Sequence, residues 1–325
     1  MNVKRLVAKS NSDKLNILTF PTHERYETNL AKTGHNFYSF HLPDSKKWTH
    51  EQLPPPPNYH ILPEGDLCDY IKYDLILSQS KFWQFQVASQ INKHLNLPMI
   101  SLEHTVPTSN AHSQDQINAF SSMVGHVNIF ISNYSQQVWG INQNPVIIRH
   151  GVDTEMFYDE GKQRGNGVTT VANEFQSRDY CLNFTLWKEV IRGFDVTLAG
   201  NNPGLSESAK DTHDLRSIYN KNYIYFNSTN LSPIPTTILE AMACGCAIVS
   251  ADTCAIGEFV THGENGFLSN DPNELRGYIE TLKNDTELAK RMGAANVAKI
   301  KNELSLGNFV HNWNNLFKQV VEVFK

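Results

Sequence analysis

A chain of 325 residues suits two domains of ordinary size, and apolar and charged fractions of 40% and 19% are those of a soluble globular protein. The net charge of −5 supplies no overall basic field for nucleic acid, although a local patch stays open. No apolar run is long enough to span a bilayer, and Met1–Ser12 is too polar for a secretory leader. The five cysteines show no metal-ligand spacing with paired histidines, so a reducing, cytoplasmic setting is expected.

In chain order, Leu15–Pro21 reads as a buried first strand. Thr22, His23, Glu24 and Arg25 follow and lead into a helix ending at Gly34, and Phe37–Phe40 supplies the second strand. A His, a Glu and an Arg at a strand's carboxyl end have two readings. They form an acceptor or phosphate site, with His23 and Glu24 on the acceptor side and Arg25 on phosphate, or they cap a loop and pair with one another. Leu53–Asn58 contains four consecutive prolines and is extended and rigid. Tyr73–Ser78 is the next strand, Phe82–Leu95 a helix, and Pro98–Leu102 a strand ending in Glu103-His104-Thr105. His104 is either a ligand contact or a structural histidine. Glu103 either orients it, on the acceptor side, or pairs with a cation. Asn128–Ser132 and Val146–Ile148 complete the strands of this half. The charges and three glycines of Asp159–Gly167 read as a linker and hinge.

The second half opens with a β-branched strand, Val168–Ala172, then Asn173–Asp179 and a helix from Tyr180 to Ile191. Arg178 offers a guanidinium that suits phosphate, unless Asp179 or Glu174 holds it. Val196–Ala199 is a strand, and Gly200 and Asn201 after it could sit against a nucleotide base. Tyr223–Phe226, the loop Asn227–Pro235, the helix Thr237–Ala243 with its stop at Gly245, and Ala247–Ser250 form one βαβ unit of a parallel sheet. Such sheets bind ligands at the carboxyl ends of their strands, against helix N-termini. The open amides at Thr236 and Thr237 attract anions, phosphate above all. Glu240, one turn inside, can reach back to accept hydrogen bonds from sugar hydroxyls. The pattern describes a nucleotide-sugar pocket. Asn273–Leu282 and Glu287–Ile300 have helical periodicity, and Phe309–Phe324 carries Trp313, Phe317, Val320 and Phe324 on one core face.

The stretch LEAMACGCAIVSADTCAIGEFVTHGENGFL resembles the donor-site signature of the retaining glycosyltransferases of family 4, which have the GT-B fold. Ile147–Phe157 resembles the segment that ends the first domain in that family. The resemblance implies an α/β protein of two Rossmann-like, doubly wound parallel-sheet domains facing a cleft. Residues 1–160 would form the acceptor domain and 161–305 the donor domain, with 306–325 a helix crossing back. Glu240 matches the second Glu of a Glu-(seven residues)-Glu motif and would hold ribose hydroxyls. The first Glu falls on Ser232, and Pro233-Ile234-Pro235 replaces the usual Gly-Phe-Gly. Ser232, Ile234, Pro235, Thr236 and Thr237 would border the donor phosphates. Arg178 and Lys188 match the basic pair that neutralises the diphosphate, and His104 matches a histidine near the transferred sugar.

The activity implied is retaining, metal-independent transfer of a hexosyl or pentosyl group from a nucleoside diphosphate sugar, UDP-linked, to a hydroxyl. That sugar nucleotide is a co-substrate, and no cofactor or metal is expected. The leaving phosphate would help deprotonate the acceptor in a front-face displacement. The acceptor is a glycan or glycoconjugate, or else a hydroxymethylated base in DNA, since compact chains with this loop resemble phage-encoded transferases. Lys4-Arg5 and Lys46-Lys47 could then contact DNA phosphates. A non-catalytic nucleotide-sugar-binding protein is the other reading, because Ser232 replaces a family site residue. A dehydrogenase is disfavoured, since no Gly-X-Gly-X-X-Gly stands at the first strand.

Overall fold

The computed structural model describes residues 14–49, 54–107 and 112–324, so Lys4, Arg5 and Leu53 lie outside the described residues. Two compact units divide the chain: one runs to Arg149 and resumes at Gly307, and the other is His150–Leu306.

The first unit contains, in order, β1 (Asn16–Thr19), α1 (Glu24–Ala31), β2 (Asn36–Ser39), β3 (Tyr59–Ile61), β4 (Leu75–Ser78), α2 (Gln84–Leu95), β5 (Met99–Glu103), α3 (Gln114–Ser121), β6 (Val127–Phe130), α4 (Asn133–Trp139) and β7 (Pro145–Ile147). Its sheet is parallel, with strand order β3-β2-β1-β4-β5-β6-β7. Every residue of β1, β4 and β5 is buried. That is the signature of strands covered on both faces, and it leaves apolar pairs or triples flanked by buried polar residues such as Asn16, Thr19, Ser78 and Ser101. β3 and α3 carry no such signal. β3 buries only Tyr59, and α3 buries nothing, being started by a reciprocal cap between Ser113 and Gln116.

The second unit contains β8 (Gly165–Val171), α5 (Asp179–Leu182), α6 (Phe184–Val190), β9 (Val196–Ala199), α7 (Thr212–Tyr219), β10 (Asn222–Asn227), α8 (Thr236–Ala243), β11 (Ala247–Ser250), α9 (Ile256–Phe259), β12 (Gly266–Leu268), α10 (Pro272–Asn284) and α11 (Thr286–Glu303). Its parallel sheet has the order β12-β11-β10-β8-β9. Both sheets reverse strand order once outward from their first strand, which is where doubly wound sheets bind ligands.

Several local features depart from the sequence expectation. The helix expected over Tyr180–Ile191 is broken at Asn183, which takes a left-handed conformation (φ 55°) and caps α6 by accepting from the Leu186 amide. Gly165 and Gly167, expected in a linker, lie in β8, where their amides donate to Lys221 O at 2.7 Å and Asn222 Oδ1 at 3.1 Å. Arg164 before them is buried, and its Nη2 donates to Asp159 Oδ1 (2.6 Å), Asn220 Oδ1 (2.8 Å) and Cys244 O (2.6 Å). Glycines and charges mimic a linker in composition, while these interior bonds make the stretch part of the core.

Gly245 stops α8 with φ +76°, its amide bonding Met242 O and that of Cys246 bonding Ala241 O. α11 presses Gly293 onto that stop, so closely that a Cβ at Gly293 would lie 2.1 Å from Gly245 O. The ends of the second unit meet one another. Val152 bridges to Ser305, its amide donating to Leu304 O and its carbonyl accepting from Leu306, both at 2.8 Å. From there α12 (Leu306–Val323) returns to the first unit and buries Phe309, Trp313, Leu316, Phe317 and Val320. Phe309 meets Tyr26 of α1 edge-on at 5.5 Å, and Phe317 approaches Phe37 of β2 at 6.3 Å. Phe324, expected on the same buried face, is 47% exposed, with its ring edge-on to His126 at 4.3 Å.

Candidate functional site

In the second unit the loops after β8, β10 and β11 are bonded into one shelf. Ser228 Oγ donates to Leu182 O (2.7 Å), the Asn230 amide to Cys181 O (2.9 Å), Thr253 Oγ1 to Thr229 O (2.7 Å) and the Ala255 amide to Pro233 O (3.0 Å). These bonds tie α5, the loop entering α8 and the loop entering α9. Pro235 sits at the N-cap of α8 and offers no side-chain acceptor, and Thr236 and Thr237 behind it are half-buried. The first amides of that helix therefore keep their capacity for an anion. Glu240, one turn further, is 4% exposed, and its Oε2 accepts a 2.8 Å hydrogen bond from the buried Tyr219 hydroxyl of α7. Tyr219 is absent from the sequence expectations, because it comes from a helix whose burial is confined to that one residue.

Around this centre, Ser232 and Pro235 are half-buried. Ile234 is a core side chain, so a ligand would meet its main chain only. Arg178 directly precedes α5 and is exposed. Asp179, its expected rival, spends its carboxylate on the Thr185 amide (2.8 Å) and hydroxyl (3.1 Å), and Glu174 gives Arg178 only a main-chain bond. Lys188 lies on α6 with its ammonium over the Phe184 ring at 5.0 Å. Gly200 is demanded by packing, since a Cβ there would fall 1.9 Å from Ala172 O. Asn201 is exposed, its amide held by Asn173 Oδ1 at 2.8 Å, so the turns after β8 and β9 lock together.

In the first unit, polar groups gather at the carboxyl ends of β1, β4 and β5. Gln79 Nε2 donates to Thr19 Oγ1 (2.9 Å) and Glu27 Oε1 (2.8 Å), while its Oε1 lies 3.4 Å from His104 Nε2. An amide oxygen facing the imidazole assigns Nε2 as the protonated nitrogen. His104 is half-buried with its ring edge-on to Tyr26 at 4.5 Å. His23 occupies the N-cap of α1 without a capping bond, and Arg25 is half-buried in the first turn. His23 is exposed in surface terms yet crowded by protein. That crowding, then the charges of Lys46 and Arg25, hold its imidazole below the ordinary range. Glu24 accepts from the Thr49 amide (2.7 Å) and hydroxyl (2.9 Å).

Glu103 differs from the placement expected of an acceptor-side residue. It is fully buried and accepts from the amide of Lys81 (2.9 Å) and the amide and hydroxyl of Thr105 (3.1 and 2.8 Å). Burial raises its pKa in spite of those donors. Glu103 thus shapes the turn that carries His104. Beside it Lys81 is buried, its Nζ bonded to Ser101 Oγ at 3.1 Å and Met123 O, and burial lowers its pKa to about 8. The sequence reading also missed Glu27 and Gln79. The available signal was a carboxylate inside the buried stripe of α1, beside Tyr26, Leu30 and Ala31. Among the described residues no group of three His, Cys, Asp or Glu is placed to hold a metal ion, and no helix is long and apolar enough to cross a membrane.

Comparison with known proteins bears on both units. Residues 207–298, from the loop before α7 into α11, match the family model described as glycosyl transferases group 1. Over 122 residues the chain is 27% identical to alpha-maltose-1-phosphate synthase of Mycolicibacterium smegmatis, a stretch that covers 35% of this chain and 30% of that enzyme. Sucrose-phosphate synthase from Thermosynechococcus elongatus has a similar structure, with a TM-score of 0.75 at 13% identity over 95% of this chain and all of that one. Anabaena HepE in complex with UDP gives 0.73 at 14% identity, over 94% and 100% of the two chains. At such identities the likeness is one of fold. The chain has the GT-B fold of two Rossmann-like parallel-sheet domains, and its second unit carries a group 1 glycosyltransferase segment that contains Tyr219 and Glu240.

Proposed function

We propose that this chain is a retaining glycosyltransferase that moves a sugar from a nucleoside diphosphate donor, UDP-linked, to the hydroxyl of a carbohydrate acceptor. The observation that carries the reading is Glu240, a buried carboxylate oriented by Tyr219 one turn behind the open amides of α8. In this reading Glu240 accepts from the ribose hydroxyls, while Thr236 and Thr237 receive the diphosphate on their amides. Arg178, with Arg25 as a second cation, meets the charge that grows as the diphosphate leaves, without a metal ion. Lys188 is the weaker candidate because its ammonium already rests on Phe184. His104, held by Gln79 and Tyr26, steadies the transferred sugar, and the leaving phosphate takes the acceptor's proton. UDP as the nucleotide is supported by HepE, whose structure holds it.

The test is thermal stabilisation by nucleoside diphosphates and their sugars, for the wild type and Glu240→Ala. A rise in Tm with one nucleotide, lost in the variant, is expected. No rise with any nucleotide at millimolar concentration would sink the reading. Ser232, where the resemblance calls for a carboxylate, gives a second reading of donor binding without catalysis, which predicts a Tm rise with no sugar released to any acceptor or to water. Transfer to hydroxymethylated DNA would show itself by an affinity for duplex that falls steeply with salt.

A further inference from the structure

Gln79 directly follows β4 and is 1% exposed. Its main-chain amide donates to Gln84 Oε1 at 2.9 Å, and Gln84 Nε2 in turn donates to Pro21 O at 2.7 Å, which ties this turn to the start of α2 and to the loop after β1. The side-chain nitrogen of Gln79 lies among three oxygens: Thr19 Oγ1 (2.9 Å), Glu27 Oε1 (2.8 Å) and Phe20 O (3.2 Å). Phe20 O is a main-chain carbonyl and can only accept, so turning the amide over would set two oxygens face to face. The oxygen end is thereby aimed at His104 Nε2, 3.4 Å away. A packing role needs none of this, since an apolar side chain of the same length fills the space without the cost of burying an amide.

The contact with His104 is long for a hydrogen bond, yet its sign is fixed. Two lone pairs pointed at one another repel, so the imidazole turns an N–H toward the amide oxygen. Rotation of the ring is opposed by Tyr26, edge-on to it at 4.5 Å and backed by Phe309 at 5.5 Å. The turn that carries the ring is bonded to the Glu103 carboxyl through Thr105 and Lys81. In a neutral histidine one nitrogen carries the proton and the other the lone pair, so Nδ1 is the acceptor. A hydroxyl donates to such a nitrogen; a carboxylate or a ring oxygen does not.

We propose that Gln79 is a positioning residue that holds His104 in the Nε2–H tautomer, so that His104 accepts a hydrogen bond at Nδ1 from a hydroxyl of the transferred sugar. The sugar rests on the glycosyltransferase reading, the tautomer on the first unit alone. The full chain, isotope-labelled at histidine nitrogen, is followed by NMR as wild type, Gln79→Met and Gln79→Glu, with His104 assigned by His104→Phe. Burial pushes the Glu27 carboxyl up to about 8, so Glu27 has a proton to give to the new carboxylate of Gln79→Glu. Tyr26 and Glu27 on α1, the neighbouring Glu103 and the Lys81 bonded to it are common to all three proteins. Neutral His104 should be protonated at Nε2 in the wild type, and the Nδ1–H form should appear in Gln79→Met. Gln79→Glu should raise the His104 midpoint by about one pH unit or more. UDP-sugars that bind should shift Nδ1 toward hydrogen-bond acceptance, whereas UDP alone should not. An Nδ1–H tautomer in the wild type, an unchanged tautomer in Gln79→Met, an unmoved midpoint in Gln79→Glu, or an Nδ1 indifferent to every UDP-sugar that binds would each overturn the proposal. If Gln79→Met fails to fold, the wild type and Gln79→Glu decide. Absence of UDP binding by the wild type in calorimetry would instead sink the donor reading, with the tautomer measured independently of it.

Discussion

Glu27 and Glu240 are both buried carboxylates on helices that follow parallel strands; Glu240 accepts from Tyr219, and Glu27 from Gln79. Burial gives Glu27 a pH signature. The folded chain keeps the Glu27 proton up to about 8, whereas the unfolded chain releases it near 4.5. Unfolding therefore sheds a proton between those values, and this group's contribution to stability falls as pH rises through that window. Glu27→Gln should remove the slope, so that its gain over the wild type grows from pH 5 to pH 8, on the order of 1–4 kcal/mol, and levels off above. Urea unfolding of both proteins at each pH unit would show it, since the surrounding His23, Glu24, Lys46 and Tyr59 are common to both. For the proposed donor site, Tyr219→Phe takes away the hydroxyl that bonds Glu240. It should weaken nucleotide binding about 5–20-fold by calorimetry, less than Glu240→Ala does. Glu240 was legible because a helix start, a carboxylate one turn in and a glycine stop lie within a few residues. Tyr219 was not, because it reaches Glu240 from 21 positions earlier across a different helix.

At the scale of elements, the contact of α11 on the end of α8 depends on two glycines. Gly293→Ala would raise helix propensity by about 1 kcal/mol, yet its methyl would overlap Gly245 O, a main-chain atom that cannot rotate away. A net loss of about 1–3 kcal/mol is expected by chemical denaturation, and a stabilised variant would show that α11 can shift. Strands and helices with a long buried face were readable from periodicity alone, as β11 and α10 illustrate. The elements that escaped are those whose reasons are not periodic. β3 is three residues at a sheet edge, α3 rests on its cap, and the break at Asn183 comes from one left-handed residue inside an uninterrupted helical pattern.

For the whole molecule, the resemblance carried by Leu239–Leu268 implied two doubly wound parallel sheets, and the seven- and five-stranded orders bear that out. Composition could not reveal that Arg164 anchors the stretch before β8, since its bonds to Asn220 and Cys244 span 56 and 80 positions. Trp313, wholly buried on α12, gives a prediction at this scale. Trp313→Ala should cost about 3–5 kcal/mol, seen as faster amide exchange in β1 and β2 while β10 and β11 keep their protection. Equal loosening of all four strands would mean that the units unfold as one.

The Val152–Ser305 bridge brings the entry and exit of the second unit side by side, which makes that unit an insertion within the first. Synthesis is vectorial, so the ribosome must complete the entire insert before α12 emerges. Until then Phe37 and Tyr26 wait without Phe317 and Phe309. The second unit can thus mature cotranslationally while the first stays adhesive, a nascent state that a holdase would recognise.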